Sequence, residues 1–251
     1  MHTLFDLTGK NAVVTGGSRG LGKAMALGLA QAGANVAIIS RTESPSTVKE
    51  LESFGVRAVS IPFNIGEIEA HEQLVRNVTE QLGPIDILVN NAGIQRRHPS
   101  EQFPMDDWYA VMNVNTNAVF SLCQQFGRGM LERGYGKIIN IASLLSFQGG
   151  YTVPAYAASK GAVMQLSKGL ANEWASKGVH VNCIAPGYMA TDMNEAIMED
   201  AERNRQIMER IPSGRWGNAE DLQGAVVFLA SAASDYVDGH TLVVDGGWLG
   251  R

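Results

Sequence analysis

Asn11-Ala-Val-Val-Thr15-Gly16-Gly17-Ser18-Arg19-Gly20-Leu21-Gly22-Lys23-Ala24-Met25-Ala26 reads as a short apolar strand, a glycine-rich turn and the opening of a helix running to about Ala32. Glycines let a backbone turn tightly and approach a pyrophosphate, whose charge is stabilised by the free N–H groups and the positive end of the helix that follows. The glycines are spaced Gly-x-x-x-Gly-x-Gly, which departs from the general dinucleotide fingerprint Gly-x-Gly-x-x-Gly. A turn whose glycines serve only the backbone therefore stands beside nucleotide binding as a reading of this stretch.

Outward from it, the strand-then-helix pattern repeats. Apolar strands are expected at 35–40, 57–62 and 85–89, separated by helices at 45–54 and 67–82. A long helix follows over 105–131, carrying the amides Asn113, Asn115 and Asn117 in a region otherwise suited to burial. Further strands are expected at 137–142, 180–185 and 241–244, with helices from Tyr156 to about Lys177 and from Asn218 onward. Strands that alternate with helices and lack period-two polarity predict a parallel sheet buried on both faces, an α/β fold. At 251 residues one domain spanning 1–251 suffices. The polar, Met-rich segment 188–215 lies just past a strand end, where a substrate lid belongs.

Net charge is −5 with acids and bases interspersed, which argues against nucleic acid or an anionic membrane as principal partner and points to small molecules. The amino terminus has no basic stretch leading into an apolar one, and no apolar run approaches the ~20 residues of a membrane span. These features predict a cytoplasmic protein. Cys123 and Cys183 lie in apolar segments without partners at metal-ligand spacing, so buried free thiols are expected and no metal site.

The chemistry is expected between Asn140 and Lys160. Tyr156 and Lys160 are four apart at the start of an Ala-rich helix, which stacks phenol and ammonium on one face. A phenol titrates near ~10, and an adjacent cation favours its phenolate, so the pair suits acid/base work. A packed aromatic beside a solvated charge is the plainer alternative for this pair alone. Ser143 ends the apolar strand 137–142, at the edge where open α/β sheets bind ligands. Asn90-Asn91-Ala92-Gly93 ends another strand and suits either a flat ligand or a simple turn.

As an ordered set, Thr15-Gly16-x-x-x-Gly20-x-Gly22, Asn90-Asn91-Ala92-Gly93, Asn115, Ser143, Tyr156-x-x-x-Lys160 and Pro186-Gly187 resemble the short-chain dehydrogenase/reductase family. The likeness covers essentially the whole chain. It implies a single Rossmann-type domain with a doubly wound, seven-stranded parallel sheet, a nicotinamide cofactor NAD(P), and a homotetramer. It further implies Tyr156 as proton donor/acceptor, Ser143 as the group orienting the reacting oxygen, Lys160 as the cation beside Tyr156 and the nicotinamide ribose, and Asn115 as anchor of a water in the proton relay. Cofactor contacts are expected from Thr15, Gly16, Ser18, Arg19, Gly20, Leu21, Gly22, Ser40, Arg41, Asn64, Ile65, Asn91, Ala92, Gly93, Tyr156, Lys160, Pro186, Gly187, Met189 and Thr191. One departure is Asn64, where the family commonly has an Asp near the adenine; an amide makes similar hydrogen bonds.

Segments 138–150, 171–174, 184–191, 210–217 and 244–249 are similar to the sugar-acid branch of that family, whose substrates are 2-deoxy-D-gluconate, 2-keto-3-deoxygluconate and gluconate. A carboxylate needs a cation, and Arg96 and Arg97 follow directly after the Asn90–Gly93 strand end. Arg97, Ser143, Gln148, Tyr156 and Tyr188 are the expected substrate contacts. An acyl-thioester keto reductase shares every catalytic motif, and a nucleotide-sensing protein without turnover is a third alternative. For the cofactor, the second strand ends Ser40-Arg41 without the acid that binds a ribose 2′-hydroxyl. Arg41, aided by Ser40 and Arg19, suits a 2′-phosphate, which favours NADP(H) over NAD(H).

Overall fold

The computed structural model describes residues 4–191 and 194–251. Its seven strands are β1 (Asn11–Thr15), β2 (Asn35–Ser40), β3 (Ala58–Pro62), β4 (Ile87–Asn90), β5 (Gly136–Ile141), β6 (Val179–Pro186) and β7 (Thr241–Val244). They form one parallel sheet in the order β3-β2-β1-β4-β5-β6-β7. The strand order reverses between β1 and β4, which leaves a crevice at their carboxyl ends.

The α-helices are α1 (Gly20–Gln31), α2 (Pro45–Glu52), α3 (His71–Leu82), α4 (Met105–Met112), α5 (Ala118–Arg133), α6 (Pro154–Trp174), α7 (Glu195–Glu199), α8 (Ala201–Arg210) and α9 (Gln223–Ala230). Successive strand residues point to opposite faces, so the sheet feeds two cores. Val13, Leu88, Ile138 and Val181 pack with α3, α5 and α6, whereas Val14, Val89, Ile139 and Ile184 pack with α1 and α9. The lack of period-two polarity in the strands follows from this double burial. A third, smaller apolar cluster of Leu144, Ile207, Ile211, Trp216 and Trp248 gathers beyond the strand ends and holds α8 over the crevice.

Three elements differ from the sequence reading. The helix expected over 105–131 is broken by a π-turn at Asn113–Asn117. Asn113 Nδ2 donates to Gly66 O at 3.0 Å and Asn115 bonds to Ile94, so two loops on different elements bind the amides and a wider turn accommodates both. The helix expected from 67 opens as a 3-10 turn over Ile68–Ala70, and that from Asn218 as a 3-10 turn over Ala219–Leu222 before α9. The segment 188–215 contains α7 and α8, the latter started by Asp200, whose side chain accepts from Arg203 N; Asp192 and Met193 lie outside the described residues.

Cys123 and Cys183 are buried free thiols, and burial pushes Cys123 up to about 12. Among the described residues, no helix is long and apolar enough to cross a membrane and no group of His, Cys, Asp and Glu converges as a metal site.

Candidate active site

A cleft of about 1730 Å³ runs along the carboxyl ends of the strands. Sites for drug-sized ligands occupy roughly 300–1,000 Å³, so this cleft has room for an extended ligand together with a second, smaller one. One end is built by the glycine turn. A Cβ on Gly22 would stand 2.2 Å from Gly16 O, so only glycine lets α1 start this close to β1. Gly20 takes φ +53° and has no atom within 4 Å of where a Cβ would lie, which leaves its surface open beside the α1 amino terminus. Gly16, Ser18, Arg19, Gly20, Leu21 and Gly22 all line this end.

Thr15 does not line the cleft. It is fully buried, and its Oγ1 accepts from Asn91 N and Ala92 N, both at 3.0 Å, so it splices β1 to the end of β4 beneath the site. Asn91 reciprocates, donating from Nδ2 to Thr15 O at 2.9 Å. Asn91, Ala92 and Gly93 line the cleft, as do Asn64, Ile65, Pro186, Gly187, Met189 and Thr191. Asn64 spends its amide locally, accepting from Gly66 N at 3.1 Å and donating to Glu67 Oε1 at 3.3 Å. Ser40 and Arg41 border the same end, with Ser40 Oγ donating to Thr42 O at 2.7 Å.

At the other end, Tyr156 and Lys160 sit in the first turns of α6, which Pro154 opens. Lys160 is 4% exposed; its Nζ donates to Ile141 O at 2.5 Å and stands 5.6 Å from the centre of the Tyr156 ring. Burial pulls this amine down to about 8. Tyr156 departs from the expectation of a phenol depressed by the neighbouring cation. Burial pushes it upward, opposed by a hydrogen bond with Ser143, because desolvation of the phenolate prevails in the protein by itself.

Ser143 and Lys160 are fastened by a residue that the sequence reading passed over. Ser146 Oγ accepts from Ser143 N at 3.3 Å and donates to Lys160 O at 2.7 Å. Together with Ser143 Oγ accepting from Leu145 N at 3.2 Å, this forms a cap on a short 3-10 turn, and the Ser-x-x-Ser spacing is its signal in the chain. Asn115 is fully buried rather than open to the cleft. Its Oδ1 accepts from Ile94 N at 2.8 Å, while Nδ2 donates to Ile94 O at 2.9 Å and Ser159 Oγ at 3.1 Å. Its side chain therefore clamps the loop after β4 to α6, and nothing in the spacing announced Ser159.

Arg97, Gln148 and Tyr188 also line this end. Arg97 Nη1 donates to Tyr151 O at 3.1 Å and Thr152 Oγ1 at 3.0 Å, tying two rim loops together. Arg96 instead pairs with Asp107 at 3.2 Å, where His98 also binds. Tyr188 packs on Trp248 at 4.6 Å and edge-on to Trp216 at 5.5 Å, between ring centres.

The family model for short chain dehydrogenases matches residues 10–202. This chain belongs to that family. It is 52% identical to a 2-dehydro-3-deoxy-D-gluconate 5-dehydrogenase of Bacillus subtilis, covering 100% of this chain and 99% of the relative. Identity is 49% to the enzyme of that name from Dickeya dadantii, covering 98% of each. A crystal structure of a gluconate 5-dehydrogenase from Burkholderia cenocepacia, in complex with NADP and tartrate, superposes with a TM-score of 0.95 at 44% identity, over 99% of this chain and 98% of that one. The seven-stranded Rossmann-type sheet is thus the family's fold carried by this sequence.

Proposed function

We propose that this chain is an NAD(P)-dependent oxidoreductase that interconverts a secondary hydroxyl and a ketone on a small sugar acid of the 2-deoxy-D-gluconate or 2-keto-3-deoxygluconate type. The observation that carries the reading is the meeting of Tyr156, Ser143 and Lys160 at one end of a cleft whose other end is the glycine turn. The names of the full-length relatives support the substrate class.

The residues present fit a dinucleotide: the open surface at Gly20, the α1 amino terminus and the loops after β1 and β4 form a cradle for a pyrophosphate. When bound, a nicotinamide supplies the hydride acceptor or donor. The protein supplies the proton chemistry. A phenol is protonated at neutral pH and burial pushes Tyr156 further that way, so its hydroxyl is ready to donate to a substrate carbonyl oxygen during reduction. Ser143 holds that oxygen by a second hydrogen bond. For alcohol oxidation Tyr156 must first ionise, and a protonated Lys160 stabilises its phenolate. Asn115 sets the floor of the site through Ile94, and its amide is already committed there, so a relay water would be held by other atoms of this region.

Tyr156→Phe removes the transferable proton and keeps the ring. Turnover is expected to fall by at least about 100-fold with cofactor binding near normal, measured by steady-state kinetics on a panel of hexonates and ketohexonates and by titration of the reduced cofactor. A fall within about tenfold, ~1.4 kcal/mol of transition-state stabilisation, counts against the assignment.

We further infer a preference for NADP(H), from Arg41, a cytoplasmic location, from the amino-terminal sequence and the lack of a long apolar run, and a homotetramer, from the family likeness.

A further inference from the structure

The lid helix α8 divides its charges by face. Glu202, Arg205 and Glu209 form an exposed network in which Arg205 Nη1 meets Glu209 Oε1 at 2.6 Å and Nη2 meets Glu202 Oε1 at 2.8 Å. Arg203, Gln206, Ile207 and Arg210 stand at i, i+3, i+4 and i+7, the spacing of one helical face, and all four line the cleft. Among the described residues, neither the Arg203 nor the Arg210 guanidinium has a carboxylate partner, and the one acidic residue of the cleft lining, Asp200, turns its carboxylate to Arg203 N.

Arg210 is also held in place. Its guanidinium lies over the Trp248 ring at 4.0 Å from the centre, and Trp248 is fixed by the turn in which Asp245 accepts from Gly247 N and Leu249 N, both at 2.8 Å. Trp248 is 6% exposed, and its indole N–H is buried without an acceptor. Arg210 is exposed, and its stacking on Trp248 holds a guanidinium with no competing carboxylate on the face of α8 that lines the cleft, a pre-positioned receiver for an anion. Arg97, by contrast, already donates to Tyr151 O and Thr152 Oγ1.

We propose that Arg210, stacked on Trp248 and supported by Arg203, is the receiver of the substrate carboxylate and the residue that makes the enzyme select acids over uncharged sugars. The inference deepens the sugar-acid reading and rests on it for the identity of the anion. Arg210 is here a specificity-determining residue, with no part in the proton transfer. Arg97, which also lines the cleft, then positions the loop carrying Thr152, whose φ of +61° is the left-handed conformation that a β-branched residue rarely holds without external support.

The test measures kcat/KM for a hexonate or ketohexonate and for its uncharged counterpart, the corresponding primary amide, in the parent, Arg210→Gln, Arg210→Lys and Arg97→Gln. Binding of tartrate to the NADP-loaded protein is measured alongside by calorimetry. Arg210→Gln is expected to lower kcat/KM for the acid about thirty-fold, mainly through KM, to leave the amide within about twofold, and to weaken tartrate comparably; Arg210→Lys restores part of the loss. Equal losses on acid and amide, or a larger acid-selective loss in Arg97→Gln than in Arg210→Gln, would overturn the inference and leave the sugar-acid function standing. A parent that turns over no hexonate yet binds tartrate through Arg210 overturns the substrate class and leaves the anion receiver standing. A parent that does neither overturns both.

Discussion

Arg41 follows the last residue of β2 on the border of the cleft, in the place where an acid would bind an unphosphorylated ribose. Ser40, expected to help it, points its hydroxyl at Thr42 O, so the guanidinium is left as the main attraction for a 2′-phosphate on this strand end. The parent is expected to show higher kcat/KM with NADPH than with NADH, and Arg41→Ala to reduce the NADPH value by about tenfold or more while leaving NADH nearly unchanged. A parent favouring NADH, or a mutant with the same ratio, would show that Arg41 does not select the phosphate. The neighbourhood of Tyr156 and Lys160, proposed to carry the proton chemistry, was legible in the chain. Tyr156 and Lys160 are four apart on a helix, and local geometry alone puts them on one face. Arg210 was not legible, because which face of α8 meets the cleft depends on Ile207 and Trp248 packing together, an event of the tertiary fold.

Among the elements, the loop after β3 shows how the cofactor end is braced. His71, the first residue of α3, is fully buried between Ile65 O at 2.9 Å and Ser121 Oγ at 2.9 Å on α5. A carbonyl only accepts, so Nε2 carries the proton and Nδ1 accepts from the Ser121 hydroxyl. Burial lowers the imidazole below its ordinary 6.5. The unfolded chain therefore binds a proton more readily than the folded one, and stability falls as pH drops below about 6.5 until the folded-state value is reached. Thermal unfolding of the parent is expected to lose stability between pH 7.5 and 5.5, and His71→Asn to be less stable at pH 7.5 but to show a shallower fall on acidification. An identical slope in both proteins would remove His71 as the source. Five scattered histidines in the sequence gave no hint of this brace, since its partners are 6 and 50 positions away.

At the scale of the whole molecule, the exposed apolar side chains are not evenly spread. Met105 at 55% and Tyr109 at 61% lie on α4, and Phe120 at 43% lies early in α5, so two consecutive helices carry apolar area that their own core does not cover. Such area is characteristic of association surfaces. The copy number comes from the family likeness alone: a homotetramer is expected in solution, about four times the 27.0 kDa of the chain, by sedimentation equilibrium. A species of one chain's mass at micromolar concentration would contradict it.

The sequence by itself determined the alternation of strands and helices, the double burial of the sheet and the placing of Tyr156 beside Lys160 on one helical face. Each of those depends on spacing within one strand, one turn or one helix. The 3.6 and 2.0 periodicities, and the glycines of the first turn, act over a few residues whatever the rest of the chain does. Only the tertiary structure decided the strand order, the π-turn at Asn113–Asn117, the withdrawal of Thr15 and Asn115 beneath the cleft, and the face that α8 turns toward it. These are set by hydrogen bonds and apolar contacts between residues far apart in sequence, such as Asn115 with Ile94 and Ser159, whose partners exist only once the sheet has brought the loops together. The Tyr156 phenol marks the boundary between the two. Its place beside Lys160 is local, but the upward push on its pKa comes from burial, which the whole fold imposes.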